Sequence, residues 1–236
     1  MKMYQMIIIT FIVSFIGSMQ LASSTAEAKP LYRIAVIDTG FRPMAYDKTG
    51  MKLCPNGHYD FATGKAEVGD DTAAHGSYVT YLINKTAQTK NICFMIYKVF
   101  GGKAKIEDLT RAMKYASQYG AKAINLSVNV FGFEHNFHRA FRGLAHNGIK
   151  MFVAAGNQNR SLNDFCNLYP PCFNDVKRNV YIVGASDQFH LKEHYSNYGA
   201  RVSVYDWGTI KDAHGTSFAT PRALGRYIKS LNLDKK

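Results

Sequence analysis

The sequence predicts an α/β protein: a three-layer, doubly wound parallel sheet with helices on both faces. Two observations carry that expectation. Apolar runs of strand length alternate along the chain with segments of helical period, and such alternation implies right-handed crossovers between parallel strands. The strand-length runs are also continuously apolar, as strands covered on both faces must be.

The first run, LYRIAVI (Leu31–Ile37), is short, β-branched and bounded by Asp38-Thr39-Gly40. DTAAHGSYVTYLI opens an amphipathic helix near His75, and NICFMIYKV (Asn91–Val99) follows as a strand. IEDLTRAMKYASQYG places Ile106, Leu109, Met113 and Ala116 at helical spacing, with Gly120 as a stop. AKAINLSV reads as a strand, HNFHRAFRGLAHNG as a helix ending at Asn147-Gly148, and IKMFVAAG (Ile149–Gly156) and NVYIVGAS as further strands. A last helix begins near Ser217, with Pro221 in its first turn. No internal repeat, low-complexity tract or interior linker interrupts this pattern, so 236 residues form one domain behind an export segment.

That segment is residues 1–28. Lys2 gives a positive start, Met6 to Gly17 is an apolar core, and Ala26-Glu27-Ala28 supplies small residues for cleavage. The core is well short of the roughly 20 residues a membrane span needs. The mature chain, 29–236, is therefore expected to be secreted or periplasmic, with no stable membrane insertion. Its four cysteines, Cys54, Cys93, Cys166 and Cys172, are an even count in an oxidising compartment. Two disulfides follow, with three pairings open. The short, turn-rich NLYPP between Cys166 and Cys172 favours joining those two, leaving Cys54 for Cys93. No CxxC pair or histidine cluster accompanies them, so no metal site is expected.

The formal net charge is +12. Such a surface suits acidic substrates or anionic envelopes. No basic run interleaved with aromatics argues for nucleic acid. No Gly-rich phosphate loop or G-x-G-x-x-G turn argues for a nucleotide.

In doubly wound sheets the chemistry gathers at the carboxyl ends of the strands. Asp38 stands directly after the first strand and Asn157 directly after MFVAAG. Alone, Asp38 reads as a turn cap, His75 as a surface histidine and Ser217, in HGTSFATP, as a helix cap. As a set they supply what acyl transfer by serine needs: a hydroxyl, an imidazole to take its proton, and a carboxylate to orient the imidazole. Asp, His, Ser is one of the chain orders this geometry uses.

With those residues in place, the chain resembles the subtilisin-like serine proteases from about Leu31 to Ile228. VIDTG, HGSYV and GTSFATP match the family's three signatures, and YKVF, INLS, VAAGNQN, VYIVGASD and YSNYG add to them. The resemblance implies Asp38, His75 and Ser217 as the triad and Asn157 as a side-chain oxyanion donor. It also implies Ser127, Val128 and Asn129, with Ala155 and Gly156, as the lining of the pocket for the residue before the scissile bond. The implied partners are protein or peptide substrates, and the expected state is a monomer without cofactor. Structural calcium is common in the family, but no ligand set is assignable here.

The pattern departs from the family in four places. The cleavage site leads almost at once into the first strand, with no propeptide evident. Ser127-Val128-Asn129-Val130 carries side chains where the family has glycines, which is expected to narrow or reshape the pocket. Tyr78 and Tyr81 stand where the histidine helix usually continues with small residues. Arg222-Ala223-Leu224 follows Pro221, and few residues remain after it. An exported serine endopeptidase is the main expectation; a weakly active or inactive protease-like domain that binds peptides or partner proteins is the alternative.

Overall fold

The structure, a computed structural model, describes residues 30–43, 50–101, 104–164, 166–173 and 175–235. The expected export segment lies outside them. Among the described residues, no helix is long and apolar enough to cross a membrane.

In chain order the elements are β1 (Tyr32–Asp38), β2 (Tyr59–Asp60), α1 (His75–Ala87), β3 (Ile92–Lys98), α2 (Ile106–Gln118), β4 (Ala123–Leu126), β5 (Val130–Phe131) and α3 (His135–His146). They continue with β6 (Lys150–Ala154), β7 (Leu168–Tyr169), β8 (Val180–Ser186), β9 (Val204–Trp207), β10 (Thr209–Ile210), β11 (Ala213–His214) and α4 (Thr216–Ser230). Seven strands form one sheet in the order β2-β3-β1-β4-β6-β8-β9. Every neighbouring pair in it is parallel. Strand β9 is an element the sequence patterning did not single out. It is short and half-exposed, so it lacks the continuous apolar signal of the central strands.

Alternation along each strand sorts its side chains into two cores. Ala35 and Ile37 of β1, and Met95 and Tyr97 of β3, pack with Leu109 and Met113 of α2 and Phe137 and Phe141 of α3. Their neighbours Ile34, Val36, Phe94 and Ile96 face Val79 and Ile83 of α1 and Ala219, Leu224 and Ile228 of α4. Helices α2 and α3 therefore cover one face, α1 and α4 the other. Each fully buried Val, Leu, Ile, Phe or Met among them stabilises the fold by about 1.5–3 kcal/mol. Helix α3 is capped by Glu134, whose carboxylate accepts from Asn136 N and Phe137 N.

Two disulfides join Cys54 to Cys93 and Cys166 to Cys172, the pairing the loop length favours. The first ties the segment ahead of β2 to β3. The second closes the loop that carries β7, which pairs antiparallel with β5.

Helices α1 and α4 run side by side because Gly225 has no side chain. A Cβ there would lie 2.6 Å from Thr86 Cβ and 2.9 Å from the Ile83 carbonyl oxygen. The strand order changes direction between β1 and β4, since β3 lies on one side of β1 and β4 on the other. Ligand crevices open at such switch points, outside the carboxyl ends of the strands. Asp38 closes β1 there, and Ser127 follows β4 beside it.

Candidate active site

Strand β1 holds Asp38 rigidly because its backbone is hydrogen-bonded on both sides, to β3 and to β4. The carboxylate is 1% exposed. Its Oδ1 accepts from His75 Nδ1 at 2.6 Å and from Thr39 N at 2.8 Å. An ionised carboxylate only accepts, so Nδ1 carries the proton shared with Asp38 and Nε2 is left as the basic nitrogen. Oδ2 of Asp38 is buried without a partner.

His75 is the first residue of α1, set there by Ala74 in the left-handed region at φ 59°. A second carboxylate, Asp71, supports it from four residues upstream. Asp71 is fully buried. It accepts from Thr39 Oγ1 at 2.8 Å, Ser77 N at 2.8 Å and Ser77 Oγ at 2.7 Å. Thr39 Oγ1 in turn accepts from Gly76 N at 2.9 Å. Thr39 thus bridges two buried carboxylates and the start of the helix. Burial favours neutral imidazole and pulls the His75 pKa down. The Asp38 charge and hydrogen bond, with the Asp71 charge, outweigh this and leave the pKa raised.

Ser217 lies in the first turn of α4; the cap position belongs to Gly215. The serine is therefore inside the helix rather than capping it, correcting the simplest reading of its motif. No carbonyl lies one turn back to take its backbone N–H, which sits in the positive field of the helix start. The Ser217 hydroxyl donates to the Ser127 carbonyl oxygen at 3.2 Å. Ser127 Oγ answers by donating to the Ser217 carbonyl oxygen at 3.0 Å, and accepts from Asn125 Nδ2 at 2.9 Å. So Asp38 and His75 are joined, whereas the serine hydroxyl is engaged by Ser127 and not by the imidazole. Phe218, the next residue, packs its ring 5.4 Å from that of His75.

Asn157 follows β6 on the other side of the crevice. Its Oδ1 accepts from Thr216 N and Thr216 Oγ1, both at 2.9 Å. Those donors fix the amide orientation and leave its N–H₂ for an incoming oxygen. Gly156, at φ 99°, lets Asn197 and Leu168 pack against the backbone just before Asn157, because a Cβ there would meet Asn197 Nδ2 and Leu168 Cδ2 at 2.5 Å. Ala155 is fully buried beneath. Val128, the residue after Ser127, is buried in the core cluster that includes residues of α2 and α3. Asn129 keeps a buried, unpartnered Oδ1.

Sequence reasoning missed Asp71, Thr39 and Thr216. Asp71 had a signal, a carboxylate four residues before the histidine; the other two could be placed only in three dimensions. Among the described residues, no group of three or more His, Cys, Asp or Glu is gathered to hold a metal ion.

A carboxylate-bound imidazole at the start of one helix, a serine in the first turn of another and a fixed carboxamide, set at the ends of the strands of a doubly wound sheet, are the groups that acyl transfer by serine draws on. The chain belongs to the subtilase family, whose model matches residues 32–227. Subtilisin BL of Lederbergia lenta is 25% identical over 212 residues, covering 82% of this chain and 73% of that protein. Some other curated alkaline proteases are spanned over only 52% of their length. A lanthipeptide protease has a similar fold, with a TM-score of 0.71 at 20% identity, over 82% of this chain and 70% of that one. A cold-adapted subtilisin-like serine proteinase gives 0.68 at 24% identity, over 86% and 76%.

Proposed function

We propose that this chain is an exported serine endopeptidase in which Asp38, His75 and Ser217 form the catalytic triad and Asn157 donates to the oxyanion. The observation that carries the reading is the 2.6 Å bond from His75 Nδ1 to a carboxylate that is 1% exposed. That bond sets the tautomer whose Nε2 can take a proton.

In the working cycle the Ser217 side chain turns about its Cα–Cβ bond, leaving the Ser127 carbonyl for His75 Nε2. As Oγ attacks the substrate carbonyl carbon, Nε2 takes the hydroxyl proton. The carbonyl oxygen becomes negative and is held by Asn157 Nδ2 and the Ser217 backbone N–H. Collapse of this intermediate breaks the C–N bond, and the imidazolium gives its proton to the leaving amine. Water, deprotonated by the same nitrogen, then attacks the acyl carbon; the bond to Ser217 Oγ breaks, the imidazolium returns its proton to Oγ, and the acid leaves.

The hydrogen bond from Ser217 to Ser127 favours one other reading, a peptide-binding domain with a parked hydroxyl and little turnover. A fluorescent phosphonate probe separates the two. Labelling of the wild type, absent in Ser217→Ala, together with peptide cleavage that the same substitution abolishes, supports the peptidase. A wild type that binds peptides yet resists both labelling and turnover overturns it.

A further inference from the structure

Beside the oxyanion residues lies a cavity of about 150 Å³ whose wall includes Phe131, Gln158, Arg160, Asn167, Leu168 and Asn197. It adjoins the reacting centre through Gly156 and Asn157. A Cβ on Gly156 would touch three of its wall atoms, in Asn197, Leu168 and Gln158, at 2.5–2.7 Å. Gln158 follows Asn157 directly in the chain, and Phe131 belongs to β5, three residues after Val128.

The side-chain amide oxygens on this wall are occupied, while several of its donors are open. Asn197 Oδ1 accepts from the backbone N–H groups of Gln158 and Arg160 at 3.1 and 3.0 Å. A backbone N–H can only donate, so the amide orientation of Asn197 is fixed. Its Nδ2 then donates to the Ala155 carbonyl at 2.8 Å and to Gln158 Oε1 at 3.0 Å, which fixes Gln158 as well. Asn167 Oδ1 accepts from Gly132 N at 3.1 Å. What remains open is the Gln158 N–H₂, the Asn167 N–H₂ and the Arg160 guanidinium. Among the described residues no carboxylate lines the cavity, and none pairs with Arg160. Phe131 and Leu168 supply apolar surface for a short aliphatic stem.

We infer that this cavity receives an acidic side chain of the substrate, on the acyl side of the scissile bond, and that Arg160 is the specificity-determining residue. The inference rests on the peptidase reading and deepens it. A carboxylate accepts on both oxygens and suits a wall of open donors and a cation, whereas a lysine would meet donors and a like charge. The +12 net charge of the chain also favours encounter with acidic peptides.

The test uses peptides that differ only in Glu, Gln, Leu or Lys, scanned over the residues on the acyl side, with phosphonate labelling run in parallel. At one position kcat/KM should favour Glu over Gln on the order of tenfold, the value of a charge-assisted hydrogen bond at a partly exposed site. High salt should weaken that preference. Arg160→Gln should remove it and Arg160→Glu should turn it toward Lys, with thermal unfolding confirming that both variants fold. A wild type that is labelled and cleaves, but treats Glu and Gln alike, overturns the inference while leaving the peptidase intact. So does an Arg160→Glu variant that keeps the wild-type order. If no labelling or cleavage occurs, the peptidase reading fails, and the cavity is judged by titrating the same peptides into Ser217→Ala. Tighter binding of Glu peptides, lost on adding Arg160→Gln, upholds it; equal binding sinks it.

Discussion

Arg222 occupies the place after Pro221 where the family pattern is broken, and the structure gives it a definite task. Only 8% exposed, it sends Nη1 to the Trp207 carbonyl at 2.6 Å and Nη2 to the Thr209 carbonyl at 2.8 Å. Its guanidinium also lies 4.7 Å from the Trp207 ring. It therefore ties α4 to the end of β9 and the start of the β10–β11 hairpin, the segment that leads into Ser217. Arg222→Met keeps the aliphatic stem but leaves two carbonyls without this partner. A third contact, to the Phe218 carbonyl at 3.2 Å, duplicates a bond the helix already makes and adds little. At about 1–3 kcal/mol for each stranded carbonyl, less the desolvation cost that burial imposes on the guanidinium, the net loss is about 2–4 kcal/mol. For a domain of this size that lowers Tm by about 5–15 °C. Arg222→Lys should recover only part, because one ammonium cannot serve two divergent carbonyls. Thermal unfolding followed by circular dichroism at pH 7 reads the effect. A methionine variant melting within about 1 °C of wild type, or a lysine variant matching it, would refute the reasoning.

Asn157→Ala should lower kcat by on the order of 10²- to 10³-fold with KM little changed, a range that itself comes from a subtilisin; an unchanged kcat would remove the residue from the oxyanion. Asp71→Asn takes away a negative charge that favours imidazolium, so the acid limb of the kcat/KM profile should move to lower pH. A limb that stays put, or moves up, contradicts the electrostatic role. Because the folded-state pKa of His75 is raised, its protonation adds stability below the pKa of the unfolded chain, and that contribution is lost as pH rises through the folded value. Acidification through this window should therefore stabilise the wild type relative to His75→Gln while its turnover falls, seen by melting and rate measured side by side.

The sheet and its helices were legible because burial imposes a period. Ile34 to Ile37 are apolar throughout since both faces are covered, and Leu109, Met113 and Ala116 recur at the spacing of one helix face. The ends of the strands pointed to Asp38 and Asn157 for the same reason. Strand β9 was not legible, because a half-exposed edge leaves no apolar run. Nor was the direction of the Ser217 hydroxyl, which a rotamer and the Ser127 carbonyl decide. Arg222 read as a departure, and only the path of β9 and β10 explains what it does.

Gly225 stands eight residues beyond Ser217, about 12 Å along its helix, and presses on the far half of the helix that His75 begins. The gap between imidazole and hydroxyl is thereby gauged at the back of the molecule, by a methyl group that is missing. Any added bulk at that spacer would pry the two rods apart, and with them the helix starts that carry the imidazole and the hydroxyl.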